Sequence, residues 1–353
     1  MARPPVAGLP APADEDPPQA AGPTMAAWQV TRAGEPLEVM HRAQVPVPAP
    51  GPGQVCVRVH AAALNFPDVL LARGQYQERP PLPFTPGIEL CGEIEAVGAG
   101  VDRNRVGERV IGTPALPHGS FAEVALARAD HLVAAPAALD DAAAAAFFIA
   151  YQTGWFGLYR RAALRVGETL LVHAGAGGVG SAAIQLGRAA GARVIAIVGS
   201  PEKVAVASEL GAQVVIDRSV TEDLVPAIKD AAGPKGVDVV YDPVGGDAFT
   251  VSTKVIAFEG RIVVVGFAGG TIASLAMNHL LVKNYSVLGL HWGLYRNRAP
   301  ELIGRAHEDL TTLVGAGALR PLVSERLPFE AAADGVTRLA AGSTVGRLVL
   351  LPP

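Results

Sequence analysis

Cysteine is almost missing from this chain of 353 residues: Cys56 and Cys91 are the only two. Two cysteines cannot build a disulfide framework or a four-cysteine zinc lobe, and the expected compartment is reducing and cytoplasmic. An excess of positive charge is missing too. With 29 basic and 33 acidic residues the net charge is −4, so no overall positive field is available to hold a phosphate backbone, and no nucleic acid is expected as a partner. Residues 1–24 hold no apolar block long enough for a signal-peptide core or a membrane span, and no membrane association is expected. Lysine is scarce, 5 against 24 arginines, which alongside abundant Ala, Gly and Pro reads as nucleotide bias without functional weight. What is present is 50% apolar residues against 18% charged, enough to bury one or two sizeable cores in a length that suggests two domains.

Residues 1–24, MARPPVAGLPAPADEDPPQAAGPT, are rich in Pro and Ala and are expected to form a disordered tail, with the fold opening at Met25. From Val30 to Phe147 short β-runs alternate with Pro and Gly turns. In Gln54 to His60, apolar Val55, Val57 and Val59 alternate with Cys56, Arg58 and His60, the period of a half-buried strand. Further runs at Glu93 to Val97, Arg109 to Gly112 and Phe121 to Ala125, separated by turn residues, predict an all-β, barrel-like domain over residues 25–147.

Beyond Ala142 the texture changes. Thr169 to His173 is a continuous apolar run of the kind seen in buried parallel strands, repeated at Val194 to Val198, Val214 to Ile216, Val237 to Tyr241 and Ile262 to Val265. The gaps hold helices expected at Gly178 to Ala190, Pro201 to Leu210, Glu222 to Ala232 and Asp247 to Phe258. The fold class is therefore α/β, a doubly wound parallel sheet over residues 148–285 beside the barrel. Residues 286–353 are expected to complete that sheet domain and to return to the first domain through the strand Arg347 to Leu351.

Between the first of these strands and its helix stands Gly175-Ala176-Gly177-Gly178-Val179-Gly180, a G-x-G-x-x-G motif at Gly175, Gly177 and Gly180. Glycines there permit a tight turn, close approach of a pyrophosphate and close helix-on-strand packing, while the helix N-terminus offers unpaired N–H groups. About 20 residues on, where an NAD site would carry Asp or Glu against the ribose 2′-hydroxyl, this chain has Gly199 and Ser200, with Lys203 one turn later and Arg218 past the third strand. A hydroxyl and two cations suit a 2′-phosphate, so NADPH is the expected cofactor, with Glu202 the one discordant neighbour.

Taken with Gly167-Glu168, Leu171, Gln185 and Arg188 around the turn, and with Asn65-Phe66-Pro67-Asp68 and Pro86-Gly87-Ile88-Glu89-Leu90-Cys91-Gly92 upstream, the chain from Met25 to Leu351 resembles the zinc-independent medium-chain dehydrogenases/reductases of the quinone oxidoreductase (zeta-crystallin-like) family. The resemblance implies a GroES-like β-barrel domain and a Rossmann domain. Zinc-dependent relatives carry a zinc ligand where this chain has Asn65 and a Gly-His-Glu triplet where it has Gly87-Ile88-Glu89. Arg109 to Phe121 also lacks their cysteine lobe, so no metal site is expected. The resemblance further implies a nicotinamide end lined by Asn65, Thr153 and the loop Val265-Gly266-Phe267-Ala268, and a pyrophosphate over Gly178 and Val179. Val244 would lie toward the adenosine, Leu290, His291 and Trp292 toward the nicotinamide, and Arg347 near the chain end. Plainer roles stand beside these: a turn residue for Asn65, a helix cap for Thr153, core for Phe267 and Trp292.

Without a metal, the chemistry implied is hydride transfer from NADPH to an electron-poor quinone, with solvent as proton source and no obligatory catalytic acid or base. Reduction of an activated C=C bond, in an enone or enoyl thioester, is the alternative, and the chain order does not show whether Arg73, Arg296 or Arg298 faces the cleft. A non-catalytic NADPH-binding or RNA-binding protein is the reading from another class. Two departures from the family pattern are Leu70 and Arg218, where relatives often carry Tyr. The resemblance also implies a homodimer, paired through an edge strand near Ile262 to Val265 or the segment after it.

Overall fold

Six parallel strands form the sheet that the continuous apolar runs predict. In the computed structural model, which describes residues 22–353, their order is Val214–Asp217, Arg193–Val198, Thr169–Val172, Val237–Asp242, Ile256–Val264 and Ser286–Gly289. Successive residues face opposite sides of the sheet. Leu170, Val172, Val194 and Ala196 enter one apolar core, while Leu171, Ile195, Ile197 and Val240 enter another. Both faces are thus covered, which is why the strands read as unbroken Val, Ile and Leu instead of alternating with polar residues. The chain order reverses beside Thr169–Val172, opening a crevice at the carboxyl ends of the strands, where such sheets take their ligands.

The β-rich half is one larger sheet and a hairpin. Val323–Pro328, Arg347–Leu351, Gln54–Ala63, Leu90–Val97, Arg109–Gly112 and Leu132–Ala134 are hydrogen-bonded in that order, and Val124–Arg128 pairs with Gln54–Ala63 as well. Thr24–Val30 and Met40–Pro46 form the hairpin, which is fastened by bridges from Ala27 to Ala122 and from Val30 to Phe84. The last strand does return to this half: Val349 and Leu350 pair with Ala63 and Ala62. Just before it, the Gly346 N–H donates to Ala176 O at 2.7 Å, so one short segment touches both the barrel and the glycine turn.

Four expectations need correction. The strand expected at Phe121 to Ala125 begins at Val124, because Phe121 and Ala122 are buried against the hairpin. The helix expected to reach Phe258 ends at Val255, and Ile256 instead starts a strand against Val237. The strand at Ile262 is interior, paired with Val237–Asp242 on one side and Ser286–Gly289 on the other, so the edge is the segment after it. Finally, Thr24 already belongs to the hairpin, and residues 1–21 of the tail expected over residues 1–24 lie outside the described residues. Among the described residues no helix is long and apolar enough to cross a membrane.

Candidate functional site

The glycine turn sits in the crevice. The chain leaves Thr169–Val172, passes Ala174 at φ 51 and enters the helix Gly178–Ala189. A Cβ on Gly180 would fall 2.1 Å from Ala174 O, and one on Gly175 would fall 2.9 Å from Ala196 Cβ, so helix, turn and second strand close up only on glycine. Gly177 caps the helix without a side-chain hydrogen bond. The N–H groups of Gly178, Val179 and Gly180 therefore lack intrahelical partners and, with the helix dipole, make an anion cradle.

At the end of Arg193–Val198 the residues singled out for a 2′-phosphate come together. The Arg218 guanidinium lies against Gly199, its Nη2 3.3 Å from where a Cβ would stand. Ser200 and Lys203 share the turn that opens the helix Glu202–Glu209, where the Lys203 N–H donates to Ser200 O at 3.1 Å. The Lys203 ammonium donates to Gly342 O at 3.0 Å. Glu202 is held below the ordinary carboxylate range by its own backbone N–H and by the Ser200 hydroxyl. The Lys203 charge acts on that carboxylate in the same direction.

The most buried polar cluster of the site joins Asn65, Asp68, Glu89 and Arg347, all under 9% exposed. Asn65 begins the helix Phe66–Ala72 in a reciprocal cap with Asp68, whose Oδ2 accepts the Asn65 N–H at 2.8 Å. Asn65 Nδ2 donates to Glu89 Oε2 at 2.9 Å, and Arg347 Nη1 donates to Asn65 Oδ1 at 2.9 Å, a contact across 282 residues of sequence. Arg347 Nη2 pairs with Glu89 Oε2, and the Ile149 N–H donates to Glu89 Oε1 at 2.6 Å. The Arg347 side chain also covers the glycine turn, its Cδ 2.7 Å from where a Cβ on Gly178 would stand, and its Nε has no partner among the described residues. Burial raises the Glu89 pKa against the pull of Arg347, Asn65 and the Ile149 N–H. Burial likewise pushes Asp68 up to about 7, against N–H donors from Asn65 and Gly87 and the charge of Arg347. Among the described residues no group of three or more His, Cys, Asp or Glu could hold a metal ion.

Glu89 and Asp68 were not singled out as site residues from sequence. The available signal was a carboxylate inside an otherwise apolar and glycine-rich motif, Pro86 to Gly92, which a buried cation must answer.

The remaining candidates divide. The Asp242 carboxylate accepts N–H bonds from Val244 and Gly245 at 2.9 and 3.0 Å, and the Gly269 N–H donates to Val244 O at 2.9 Å, so the loop from Val265 to Ala268 and the turn at Val244 form one rim. Phe267 on that rim is 39% exposed, not core. Thr153 lies near the end of the helix Phe148–Gly154, where its hydroxyl donates to Ile149 O at 2.6 Å, so it caps no helix start. Leu290 and Trp292 are buried and His291 is exposed. Trp292 stands edge-on to Phe148 at 5.5 Å between ring centroids.

Comparison with known proteins follows this geometry. Residues 51–137 match the model of the alcohol dehydrogenase GroES-like domain, and residues 178–308 that of a zinc-binding dehydrogenase family. A Bos taurus protein named quinone oxidoreductase-like protein 2 is 39% identical over 84% of this chain and 84% of its own length. Escherichia coli quinone oxidoreductase, solved in complex with NADPH, superposes with a TM-score of 0.85 at 30% identity, covering 93% of this chain and all of that one. A mycobacterial protein solved with NADPH gives 0.86 at 31% identity, with the same coverage of each chain.

The buried Asp68 makes a prediction about stability. Its native pKa lies near 7, above the ~3.9 of an unfolded Asp, so between these values the folded state holds the extra proton and stability falls as pH rises. Glu89 adds to the fall with the same sign. In urea unfolding across pH 4 to 7, the stability of the wild type relative to Asp68→Asn should fall as pH rises; equal slopes would contradict it.

Proposed function

The chain belongs to the quinone oxidoreductase family of the medium-chain dehydrogenases/reductases, and from that premise we propose that it transfers hydride from NADPH to an electron-poor acceptor, a quinone, without zinc. The observation that carries the reading is the Arg218 guanidinium lying against Gly199 at the strand end, with Ser200 and Lys203 in the turn that follows, one strand over from the uncapped helix at Gly178. Gly175, Gly177, Gly178, Val179 and Gly180 would hold the pyrophosphate, and Ser200, Lys203 and Arg218 the 2′-phosphate. Asn65, Thr153 and Val265 to Ala268 would border the nicotinamide, with Val244 on the rim. Bound NADPH supplies the hydride. The protein's part is to hold the reacting faces together and to keep water out of the cleft between the β-rich residues 25–147 and the sheet domain over 148–285.

The reading without zinc rests on donor chemistry. Asn65 and Glu89 spend their polar atoms on each other and on Arg347, and Ile88 between Gly87 and Glu89 has no ligating atom. Hydride transfer to an already electron-poor acceptor needs no metal as Lewis acid, and the proton that completes the reduced acceptor comes from solvent.

A second copy of the chain is proposed as partner. Ser286–Gly289 leaves one edge of the six-stranded sheet unpaired, and Ile272, Met277, Leu281 and Val282 shortly before it are each more than 70% exposed. Sedimentation equilibrium should give twice the mass of the chain; the mass of a single chain would refute the pairing.

Initial rates of NADPH and NADH oxidation with 1,4-benzoquinone, an α,β-unsaturated ketone and crotonyl-CoA test the activity. NADPH with the quinone is the expected pair. Turnover confined to the enone or thioester would make the protein an alkene reductase, and no turnover at all would refute hydride transfer to either class. In the same assay, Lys203→Ala with Arg218→Ala should weaken NADPH on the order of tenfold or more while leaving NADH nearly unchanged. Equal weakening would mean that these cations do not read the 2′-phosphate.

A further inference from the structure

Of the three arginines whose orientation the sequence leaves open, two face away from the cleft chemistry. Arg73 is tied to Glu35 at 2.9 Å on the surface, and Arg298 is exposed. Arg296 is different: its side chain is only 15% exposed and its guanidinium stands 5.7 Å from the Trp292 ring. Arg296 Nη1 donates to Thr113 Oγ1 at 2.6 Å, and Nη2 reaches the exposed Glu78 at 3.3 Å. The helix Gly293–Arg298 is thereby joined to two segments of the barrel half, the residue after the strand Arg109–Gly112 and the stretch after the helix Phe66–Ala72.

Two buried donors at this junction, Arg296 Nε and Trp292 Nε1, have no hydrogen-bond partner among the described residues. Trp292 itself is 8% exposed. A buried N–H without an acceptor is costly, so two on side chains four residues apart, with the guanidinium 5.7 Å from the indole ring, mark a place where an oxygen belongs. The junction adjoins the polar cluster already described. Trp292 packs on Phe148, and the next residue, Ile149, donates its N–H to Glu89, which binds Asn65. From the other side the half-buried Tyr76 feels the charges of Glu78, Arg296 and Asp68. His131 is held down to about 4 by burial and by Arg296, against the pull of Asp130, so it is uncharged at neutral pH.

We propose that the Nε–H of Arg296 and the Nε1–H of Trp292 form a donor pair for the carbonyl oxygen of the hydride acceptor. This rests on the hydride-transfer reading above. The hydride brings its electron pair to a carbon conjugated with that carbonyl and forms a C–H bond. The π electrons move onto the oxygen, leaving it an enolate that a solvent proton later neutralises; for a quinone, loss of a proton from the carbon that took the hydride and protonation of the second oxygen then give the aromatic hydroquinone. The cofactor is oxidised by two electrons and the acceptor reduced by two. Donors aimed at the oxygen where charge develops lower the barrier to that step. A quinone and an enone present the same oxygen, so the pair serves either acceptor.

The test uses 4-nitrophenol, whose phenolate absorbs in the visible, as a stand-in for the charged oxygen. Bound to the full-length protein without cofactor, its pKa should fall by about one unit or more in the wild type, as expected beside an arginine, and R296Q should abolish the fall. In single-turnover reduction of 1,4-benzoquinone, R296Q should slow the hydride step about 10²-fold with the NADPH dissociation constant unchanged. W292F, which keeps the ring on Phe148 but loses the N–H, should slow it about tenfold, and R296K, keeping the charge, should recover part of the loss of R296Q. An unshifted probe in the wild type, an equal shift in R296Q, or an R296Q rate within about twofold of wild type would overturn the proposal. If the wild type reduced no acceptor, the hydride-transfer reading would fail on its own, while the probe titration would still decide the donor pair.

Discussion

The ion pair of Arg347 and Glu89 is the contact on which the site depends. Both groups are out of water, and charges so placed cost several kcal/mol each unless geometry and further hydrogen bonds compensate. Here Asn65 donates to one partner and accepts from the other, and the Ile149 N–H fills the second carboxylate oxygen. The pair therefore links four separate pieces of chain: the cap of the helix Phe66–Ala72, the motif around Gly87, the start of the helix Phe148–Gly154 and the last strand. Removing one member would leave the other buried without a partner, at a cost of about 3–5 kcal/mol. The same arginine lies across Gly178, so the interaction that closes the barrel half also fixes the mouth of the glycine turn.

Around that anchor the two halves contribute different things. The parallel sheet, covered on both faces, is rigid where its strand order reverses, and it delivers backbone N–H groups that no side chain has capped. Irregular segments at the carboxyl ends of the strands carry the variable chemistry: the cations around Gly199, the rim joining Val244 to Phe267, and the Arg296–Trp292 junction. The barrel half supplies Asn65, Thr113 and Glu78 across the cleft. The end proposed for the phosphates is built mainly from main chain with a few exposed cations, whereas the other end is built from buried side chains that answer one another.

How much of this could be read from the chain follows from the range of each interaction. Arg109–Gly112 and Arg347–Leu351 match the expected strands to the residue, because alternation and unbroken apolar runs are local signals. The turn from Gly175 to Gly180 is equally local, since its glycines answer clashes within a few residues. Ser286–Gly289 and Leu132–Ala134 were not among the expected strands. Phe121 misled because an apolar residue packed against a hairpin looks like one in a ladder. Glu89 escaped for a different reason. Its partner Arg347 is 258 residues away, and nothing in either local sequence reports the other. Resemblance put Asn65 and Arg347 on the candidate list, but their mutual hydrogen bond belongs to tertiary structure alone.

The most direct test of this account is the NADPH dissociation constant of Arg347→Met, measured by fluorescence titration on protein shown by circular dichroism to be folded. The account predicts that it rises on the order of tenfold or more over wild type, because the cation across Gly178 and the hold of the last strand on the turn are both lost. An unchanged dissociation constant would contradict it, and would mean that the glycine turn keeps its shape without the buried pair.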